Sequence, residues 1–260
     1  MEDILKKLEK FRNIIKDKTI ISFTSDIDWA SDYAINRTIE YFEENSIPVT
    51  MFLTHPSKAI DNALQEERIK VGLHPNFMPD SSQGKNYDEI IDYCFNLYPN
   101  AIGYRGHRYY DVNDTIEKLV SRGIKFDSNV CTLLDNVYPF LHRSNIIRFP
   151  IFWEDGAYLY QYKDINFANV KKKLFSPGLK IINIHPMHLM LNTPYFKYTR
   201  EIKDTLSREE WNNLSEETID KLSYKGYGIK NVIDDMVKEI NDLGTEVMYL
   251  EDVYNIIMKQ

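Results

Sequence analysis

Short apolar runs alternate with amphipathic helical stretches along most of the chain, and this alternation limits the possible folds more than any other feature. Eight runs have the length and composition of strands, at 19–23, 48–53, 70–73, 101–104, 125–127, 146–150, 180–184 and 246–249. Helical patterns separate the first of these runs, at 31–45, 57–67, 87–97 and 113–122. Strand, helix and strand in this order predict parallel β/α units. Seven or eight such strands favour an α/β fold in the form of a distorted (β/α)7-8 barrel.

The length of the chain agrees with one such barrel, because the chain has 260 residues and a β/α barrel typically needs roughly 250. The first 18 residues have the spacing of an amphipathic helix and lack the apolar core of a secretory signal. No run approaches the ~20 apolar residues of a membrane span. We therefore expect one domain over 1–260, located in the cytoplasm. A polar, tyrosine-rich stretch at 192–228 predicts an insertion with a helix around 207–222, acting as a lid or an interaction arm.

Charge and cysteine content argue against two classes of function. The chain has 32 basic and 39 acidic side chains, for a net charge of −7. Nucleic-acid binders usually present a basic face, so we expect no nucleic-acid partner. The two cysteines, Cys94 and Cys131, belong to no ligand cluster, and a sulfur-rich zinc site is therefore not expected.

Titratable side chains follow nearly every predicted strand. In chain order they are Asp26 and Asp28, His55, His74, Arg105 and His107, Asp127, Glu154 and Asp155, and His185 and His188. The carboxyl ends of the strands meet at one side of a β/α barrel, and that side carries the chemistry. The recurrence therefore predicts a catalytic site at this end.

Asp26 and Asp28 are spaced so that their carboxylates would lie on one face of a strand, a few ångströms apart. Two anions this close repel each other unless a cation or an arginine neutralises them. One carboxylate would ligate a metal while the other takes a proton from water. The alternative is a structural turn in which Asp28 or Ser31 caps the following helix.

Histidines and an arginine would complete such a site. His74 follows an apolar run, and imidazole is a common ligand for zinc and similar ions. His185 follows another apolar run and suits a general acid near neutral pH. Arg105, if it reaches Asp26, would hold that carboxylate ionised and oriented.

Aromatic side chains accompany these groups, namely Trp29, Tyr109, Tyr110 and Trp153. Each would offer a flat face for stacking on a sugar, and packing is the alternative for each. We expect Trp29 and Tyr109 to contact substrate.

The order of these motifs resembles the polysaccharide deacetylases, the NodB-homology or carbohydrate esterase family 4 group. The resemblance runs from about residue 20 to residue 188 and rests on five segments in the family's order. They are Thr24-Ser25-Asp26-Ile27-Asp28, Gly72-Leu73-His74, Arg105 to Tyr109, Gly123 to Asp127, and Ile182-Asn183-Ile184-His185. The resemblance implies a distorted barrel and a metal-dependent hydrolase that removes an acetyl group from an N- or O-acetylated sugar.

The same resemblance implies a role for each matching residue. Asp26 would be the base and His185 the acid, while Arg105 would orient Asp26. Asp28 and His74 would bind a divalent metal ion, zinc in the first place, with cobalt or nickel as alternatives. The substrate would be an acetylated sugar or glycan intermediate of surface-polysaccharide metabolism, cleaved at its amide bond.

One metal ligand of the family is missing. The second metal histidine normally lies four residues after the first, and Met78 occupies that position here. A thioether is a poor ligand for zinc and similar ions. His55, Asn76 and His107 are the candidate substitutes, and we expect His55, which follows the neighbouring strand.

Two other functions remain open at this stage. The missing histidine is compatible with a catalytically inactive barrel that binds glycan or protein. Asp26-Ile27-Asp28 also fits the nucleophile–acid pair of a haloacid-dehalogenase-type phosphatase, which would need a later acidic pair at a strand end. Asp234-Asp235 lies within a helical pattern instead, and this disfavours the phosphatase.

Overall fold

The computed structural model describes residues 2–260, and ten strands in this range share one sheet. The strands are β1 (Thr19–Asp26), β2 (Val49–Leu53), β3 (Lys70–Leu73), β4 (Gly103–Tyr104), β5 (Phe126–Asp127), β6 (Phe140–Leu141), β7 (Ile147–Arg148), β8 (Ile151–Glu154), β9 (Gly178–Ile184) and β10 (Glu246–Val247). The α helices are α1 (Glu2–Ile15), α2 (Asp32–Glu44), α3 (Lys58–Gln65), α4 (Tyr87–Leu97), α5 (Asn113–Ser121), α6 (Asp155–Gln161), α7 (Ala168–Leu174), α8 (Pro186–Met190), α9 (Tyr198–Lys203), α10 (Arg208–Asn212), α11 (Glu216–Leu222), α12 (Ile229–Leu243) and α13 (Leu250–Lys259).

The sheet is a curled, mostly parallel one. Its strand order is β6-β7-β5-β4-β3-β2-β1-β9-β8, with β10 paired to β1. The β6–β7 pair is antiparallel, and the other pairs are parallel. A parallel bridge between Cys131 and Ile151 brings the segment after β5 against β8. The sheet therefore curls back towards itself, and the prediction of a distorted barrel is confirmed.

The stretch predicted as one strand at 146–150 is two strands, β7 and β8. The Phe149 N–H donates to the Asp127 carbonyl, while the Ile151 N–H donates to the Val130 carbonyl. Pro150 lies between them and has no N–H to donate. The chain changes pairing partner at this proline, and β8 then lies beside β9.

The predicted helix at 207–222 is also divided. It forms α10 and α11, and the Ser215 hydroxyl accepts a hydrogen bond from the Thr218 N–H at the start of α11. The polar stretch as a whole folds into three short helices, α9 to α11. Trp211 of α10 is buried, so the stretch packs on the barrel.

Apolar side chains pack on both faces of the sheet and leave the carboxyl ends of the strands open. On the inner face, Ile20, Phe52 and Ile181 share one core cluster with α1 and α13. Because Ile20 lies near the start of β1, these two helices cover the amino-terminal end of the barrel. On the outer face, α2, α3 and α12 pack against β1, β2 and β9. The carboxyl ends of the strands are left to the loops that carry polar residues.

Lys180 is completely buried in β9. Its Nζ donates to the carbonyls of Ser176 and Pro177, at 2.8 and 3.2 Å, and lies 5.4 Å from the centre of the Phe152 ring. Burial lowers the pKa of Lys180 to about 8. A free lysine, as in the unfolded chain, has a pKa of about 10.4. At alkaline pH, Lys180 is therefore protonated in a smaller fraction of folded molecules than of unfolded ones.

Replacing this amine should change how stability depends on pH. Between pH 8 and pH 10 the unfolded chain binds the extra proton, so raising the pH stabilises the wild-type protein. We expect its free energy of unfolding to rise relative to that of Lys180→Met by about 2 kcal/mol over this range. Denaturant unfolding at both pH values measures the difference, with the exposed Lys197→Met as the control. A difference between wild type and Lys180→Met that does not change with pH would contradict the expectation.

Candidate active site

Asp26 ends β1 at the floor of the open end, and only 2% of the residue is exposed. Its Oδ1 accepts a hydrogen bond from Arg105 Nη1 at 2.7 Å, and its Oδ2 accepts one from Asn183 Nδ2 at 2.9 Å. The contact expected between Arg105 and Asp26 is therefore present. Both carboxylate oxygens have fixed partners, so the orientation of the carboxylate is set from two strands.

Arg105 is itself held on every side. The Nε donates to the Ser128 carbonyl at 2.8 Å, and Nη2 donates to the hydroxyls of Ser128 and Thr24 at 2.9 and 3.1 Å. The guanidinium carbon lies 4.3 Å from the centre of the Phe52 ring. A fully buried guanidinium is costly without partners, and here Asp26 neutralises it while these groups bind the remaining donors.

Asp28, His74 and His107 bring three ligand atoms together beside Asp26. We call these three residues the trio. Asp28 Oδ1 lies 3.1 Å from both His74 Nε2 and His107 Nδ1, and these two nitrogens are 3.3 Å apart. Zinc bonds of about 2.0–2.1 Å in a tetrahedral site place ligand atoms about 3.3 Å from one another. The spacing of the three atoms therefore fits one ion of this kind.

The hydrogen bonds around the trio orient its electron pairs inward. His74 Nδ1 lies 2.7 Å from the Arg105 carbonyl, which can only accept a hydrogen bond, so Nδ1 carries the hydrogen. Nε2 of the same ring then presents its lone pair to Asp28 and His107. A backbone carbonyl that fixes the tautomer in this way is a usual partner of a metal-binding histidine. The edge of the Trp29 ring packs at 88° to His107, with the ring centres 5.3 Å apart.

The structure does not bring His55, the substitute expected from the sequence, into this group. Its Nδ1 contacts the Thr54 hydroxyl at 2.8 Å, and its Nε2 contacts the Ala30 carbonyl at 3.2 Å. With both nitrogens bound, the ring has no lone pair free for an ion at the trio. His107, the third substitute, occupies the position instead. Asn76 binds its own loop, through the Met78 N–H at 3.1 Å.

The backbone near the trio is strained at two pairs of residues. Asp28 and Trp29 have φ angles of 38° and 56°, and Arg108 and Tyr109 have φ angles of 55° and 56°. Left-handed backbone is rare for residues with bulky side chains and tends to occur at functional sites. The first pair includes one trio member, and the second directly follows His107. The Ser31 hydroxyl, rather than Asp28, caps α2, so Asp28 remains available to the site.

His185 faces the trio from β9. Its Nδ1 donates to Asp155 Oδ1 at 2.6 Å, its backbone N–H donates to Asp155 Oδ2 at 2.7 Å, and its Nε2 lies 3.6 Å from Asp28 Oδ2. Burial by itself would lower the pKa of His185, but the Asp155 carboxylate, helped by Asp28 and Glu154, raises it well above its ordinary value. The imidazole is therefore a proton donor whose free edge points into the site.

A second set of possible ligand atoms belongs to Asp155, His185 and His188. Its geometry suits a metal less well, because Asp155 already accepts two hydrogen bonds from His185. His188 Nδ1 contacts the hydroxyls of Thr193 and Thr199, at 3.0 and 3.2 Å. This set is a hydrogen-bonded network rather than a group of converging lone pairs.

These groups line one cavity of about 550 Å³. Asp26, the Asp28–His74–His107 trio and His185 form its floor, and the insertion contributes part of its wall. The wall residues from the insertion are Phe196, Thr199, Arg200, Lys203 and Trp211. At the rim, Tyr160 and Phe196 are 73% and 50% exposed, with their ring centres 5.1 Å apart. This exposed aromatic pair was missed from the sequence, because the two rings come from helix α6 and the insertion.

Comparison with known proteins places the chain in a family. A family model of WbmS-like polysaccharide deacetylases matches residues 23–202. The chain belongs to this polysaccharide deacetylase family. The membership supports a carbohydrate deacetylase activity and an acetylated carbohydrate as substrate.

Solved structures of deacetylase type resemble this one. A candidate polysaccharide deacetylase involved in O-antigen biosynthesis, WbmS from Bordetella bronchiseptica, is 23% identical with a TM-score of 0.72, over 88% of this chain and 93% of that one. A candidate polysaccharide deacetylase from Mycobacterium smegmatis is 14% identical with a TM-score of 0.48, over 90% and 94% of the two chains. The first likeness shows a shared fold. Among proteins with curated functions, no sequence matches significantly.

Two residues expected near the deacetylase site lie elsewhere, and a third faces an adjoining cavity. Asp127 binds Arg148, with Nη2 to Oδ2 at 2.7 Å, and is fully buried away from the cavity. Trp153 is also fully buried and offers no face to a sugar. Trp29 lines a neighbouring cavity of about 340 Å³, whereas Tyr109 lines the main one. The aspartate that contacts His185 is Asp155.

Across residues 2–260, we find no helix with the length and apolar character that crossing a membrane requires.

Proposed function

We propose that the chain is a metal-dependent hydrolase that removes the acetyl group from an N-acetylated sugar. The observation that carries the proposal is the convergence of Asp28, His74 and His107 next to the Asp26–Arg105 pair and opposite His185. Family membership supports the acetylated substrate. The name of the Bordetella protein mentions O-antigen biosynthesis, which supports an intermediate of a surface polysaccharide as the natural substrate.

The donor set of the trio suits zinc, because one carboxylate oxygen and two imidazole nitrogens are ligands that zinc commonly takes in catalytic sites. Burial raises the pKa of Asp28, but the charge and hydrogen bond of His107 and the charge of His185 lower it well below its ordinary value. Asp28 therefore stays anionic and ready to bind. A divalent ion held there would polarise the acetyl carbonyl and increase the acidity of water.

Proton transfer falls to two side chains on opposite sides of the trio. Asp26 would take the proton of the attacking water, and Arg105 with Asn183 would keep its carboxylate pointed at that water. His185 would donate a proton to the nitrogen that leaves. An amine is a poor leaving group until it is protonated, so a histidine held protonated by Asp155 favours an acetamide as the substrate.

Asp155 would be a positioning residue for His185, because it contacts the ring on the side away from the cavity. We expect Asp155→Asn to lower kcat by about 100-fold, since the imidazole loses both its orientation and its charge partner. The alkaline limb of the pH profile should also move to lower pH, because the anion that raises the pKa of His185 is gone. Steady-state kinetics across pH measure both effects. An unchanged pH profile would reduce Asp155 to a structural role.

The experiment that tests the proposed reaction is release of acetate by the zinc-loaded chain. N-acetylglucosamine oligomers and sugar phosphates serve as amide substrates, and O-acetylated sugars serve as ester substrates. Acetate from the amide substrates that stops on addition of a chelator and returns with zinc supports the proposal. Acetate release from esters alone would replace the amide with an ester. No acetate from any of these compounds would count against the reaction.

Neither earlier alternative gains support. The inactive barrel was suggested by the absence of a second metal histidine, and His107 removes that reason by lying 3.1 Å from Asp28. The phosphatase needs Asp26 as a nucleophile, whereas Arg105 and Asn183 bind both oxygens of that carboxylate.

A further inference from the structure

The charges around the main cavity come from different parts of the fold. Three carboxylates line it, those of Asp26, Asp28 and Glu154, and three cations line it, those of Arg108, Arg200 and Lys203. The carboxylates lie on the floor with partners, since Asp26 binds Arg105 and Asp28 contacts two histidines. The cations come from the loop after β4 and from the insertion. The protein as a whole is acidic, with a net charge of −7, so a cationic wall at this one place is a local feature.

Two of the three cations are without a protein partner. Arg200 forms an ion pair with Asp204 at 2.8 Å. Within residues 2–260, the guanidinium of Arg108 and the amine of Lys203 have neither a carboxylate within 4 Å nor a hydrogen-bond acceptor. The Lys203 amine lies 5.2 Å from the centre of the buried Trp211 ring, which holds it on the cavity wall.

Arg108 is held in position by its backbone. The His107 N–H donates to the Pro75 carbonyl at 2.8 Å, and the Tyr109 N–H donates to the Gly106 carbonyl at 2.8 Å. Between these two bonds Arg108 adopts a left-handed conformation with a φ of 55°. The turn therefore fixes the backbone of Arg108 directly after a member of the trio, in a conformation that costs energy for a residue with a Cβ, and the residue lines the cavity.

Neutral polar groups are scarce along the same wall. Among the described residues that line the cavity there is no asparagine, glutamine or serine, and Thr199 is the one residue with an aliphatic hydroxyl. A neutral sugar is usually bound through such groups. Besides Thr199, the neutral polar side-chain groups outside the histidines are those of Tyr109, Tyr160 and Trp211. The charged donors on this wall are cations, which form their strongest hydrogen bonds with carboxylates and phosphates.

We propose that Arg108 and Lys203 form a subsite for an anionic group carried by the acetylated sugar. The inference rests on the proposed deacetylase function and narrows its substrate to a negatively charged sugar. The shared chemistry is an anion within reach of the trio, either the carboxylate of an acidic sugar or the phosphate of a phosphorylated or nucleotide-linked sugar.

Binding measurements on the zinc-loaded full-length chain test this subsite without relying on turnover. The probes are N-acetylglucosamine, its 1-phosphate and the corresponding N-acetylated uronic acid. We expect the wild-type protein to bind at least one anionic probe about tenfold more tightly than the neutral sugar. The preference should shrink as sodium chloride is added, because salt screens exposed charges. The better anionic probe identifies the phosphate or the carboxylate as the source.

Substitutions at the two cations test whether they cause the preference for the anionic probe. Arg108→Gln and Lys203→Gln should each reduce binding of the anionic probe by about tenfold, and Arg108→Lys should retain part of it. Lys197→Gln is the matched control, because Lys197 is exposed on the same insertion and does not line the cavity. Equal binding of neutral and anionic probes, or a preference that survives both glutamine variants, overturns the inference. The second result would assign the anion to the metal ion instead.

The two proposals fail in different ways. Acetate release from neutral sugars with no role for Arg108 or Lys203 would overturn the anionic subsite and leave the deacetylase proposal in place. Binding of an anionic probe that depends on both cations, with no acetate released from any substrate, would support the subsite and count against the deacetylase.

Discussion

Asp26→Asn is expected to lower kcat for acetate release by about 10³-fold, because an amide cannot take the proton that a carboxylate base removes. Zinc affinity should change little, since the ligand atoms belong to Asp28, His74 and His107 and Asp26 Oδ2 lies 4.0 Å from His74 Nε2. Kinetics and zinc titration on the same preparation measure both quantities. Turnover at the wild-type rate would refute the assignment of Asp26 as the base.

A matched control separates catalysis from folding in this experiment. Asp26→Asn also leaves the buried Arg105 guanidinium without its counter-charge, which destabilises a protein. Asp127→Asn removes one of the two carboxylates that bind the buried Arg148, outside the cavity, while Asp111 keeps its contact with that guanidinium. We expect both variants to lose stability and only Asp26→Asn to lose activity. A similar loss of kcat in both variants would assign the effect to folding.

His107→Ala is expected to weaken zinc binding by more than 100-fold, because it removes one of three ligands and the loss of a partner behind a ligand already costs about 10- to 100-fold. Activity at limiting zinc should fall in parallel. His55→Ala is the matched control, since both nitrogens of His55 bind Thr54 and Ala30 instead of facing the trio. Zinc affinities of the two variants, measured against a chelating dye, decide between the two histidines.

Two other outcomes for the His107→Ala and His55→Ala variants would change the assignment of the metal ligands. Retained zinc affinity in His107→Ala with a loss in His55→Ala would restore the ligand expected from the sequence and contradict the geometry of the trio. A retained affinity in both variants would place the ion elsewhere, with Asp155, His185 and His188 as the next set to replace.

The parts of the site that lie on regular strands could be predicted from the sequence. Asp26, His74 and His185 each come at the end of a mainly apolar run, so the end of each strand could be predicted from the sequence. Arg105 could be paired with Asp26 by chemistry, because a buried carboxylate beside another carboxylate needs a cation.

His107 could not be chosen over His55 because the choice depends on the backbone of a turn. Both residues follow strands that neighbour β3 in the sheet. Left-handed conformations at Arg108 and Tyr109 form the turn that places His107. The types of these two residues do not predict such conformations. Glycine or asparagine would have been the usual signal.

The contact between Asp155 and His185 was not predicted, for a topological reason. The run before Asp155 was read as one strand up to Pro150, so β8 and its pairing with β9 were absent from the predicted sheet. That pairing is what brings Asp155 beside His185. Asp127, which ends one of the segments that resemble the family, binds Arg148 instead. The contribution of the insertion to the cavity wall could not be predicted either, because its three short helices pack through single residues such as Trp211.

Anomalous diffraction from crystals of the zinc-loaded chain tests the central claim most directly. We expect one peak bounded by Asp28 Oδ1, His74 Nε2 and His107 Nδ1, with metal–ligand distances of about 2.0–2.2 Å. His55 should remain bound to Thr54 and Ala30, outside the coordination sphere. A fully loaded crystal without a peak between these three atoms, or with the peak at Asp155, His185 and His188, would contradict the proposed metal centre.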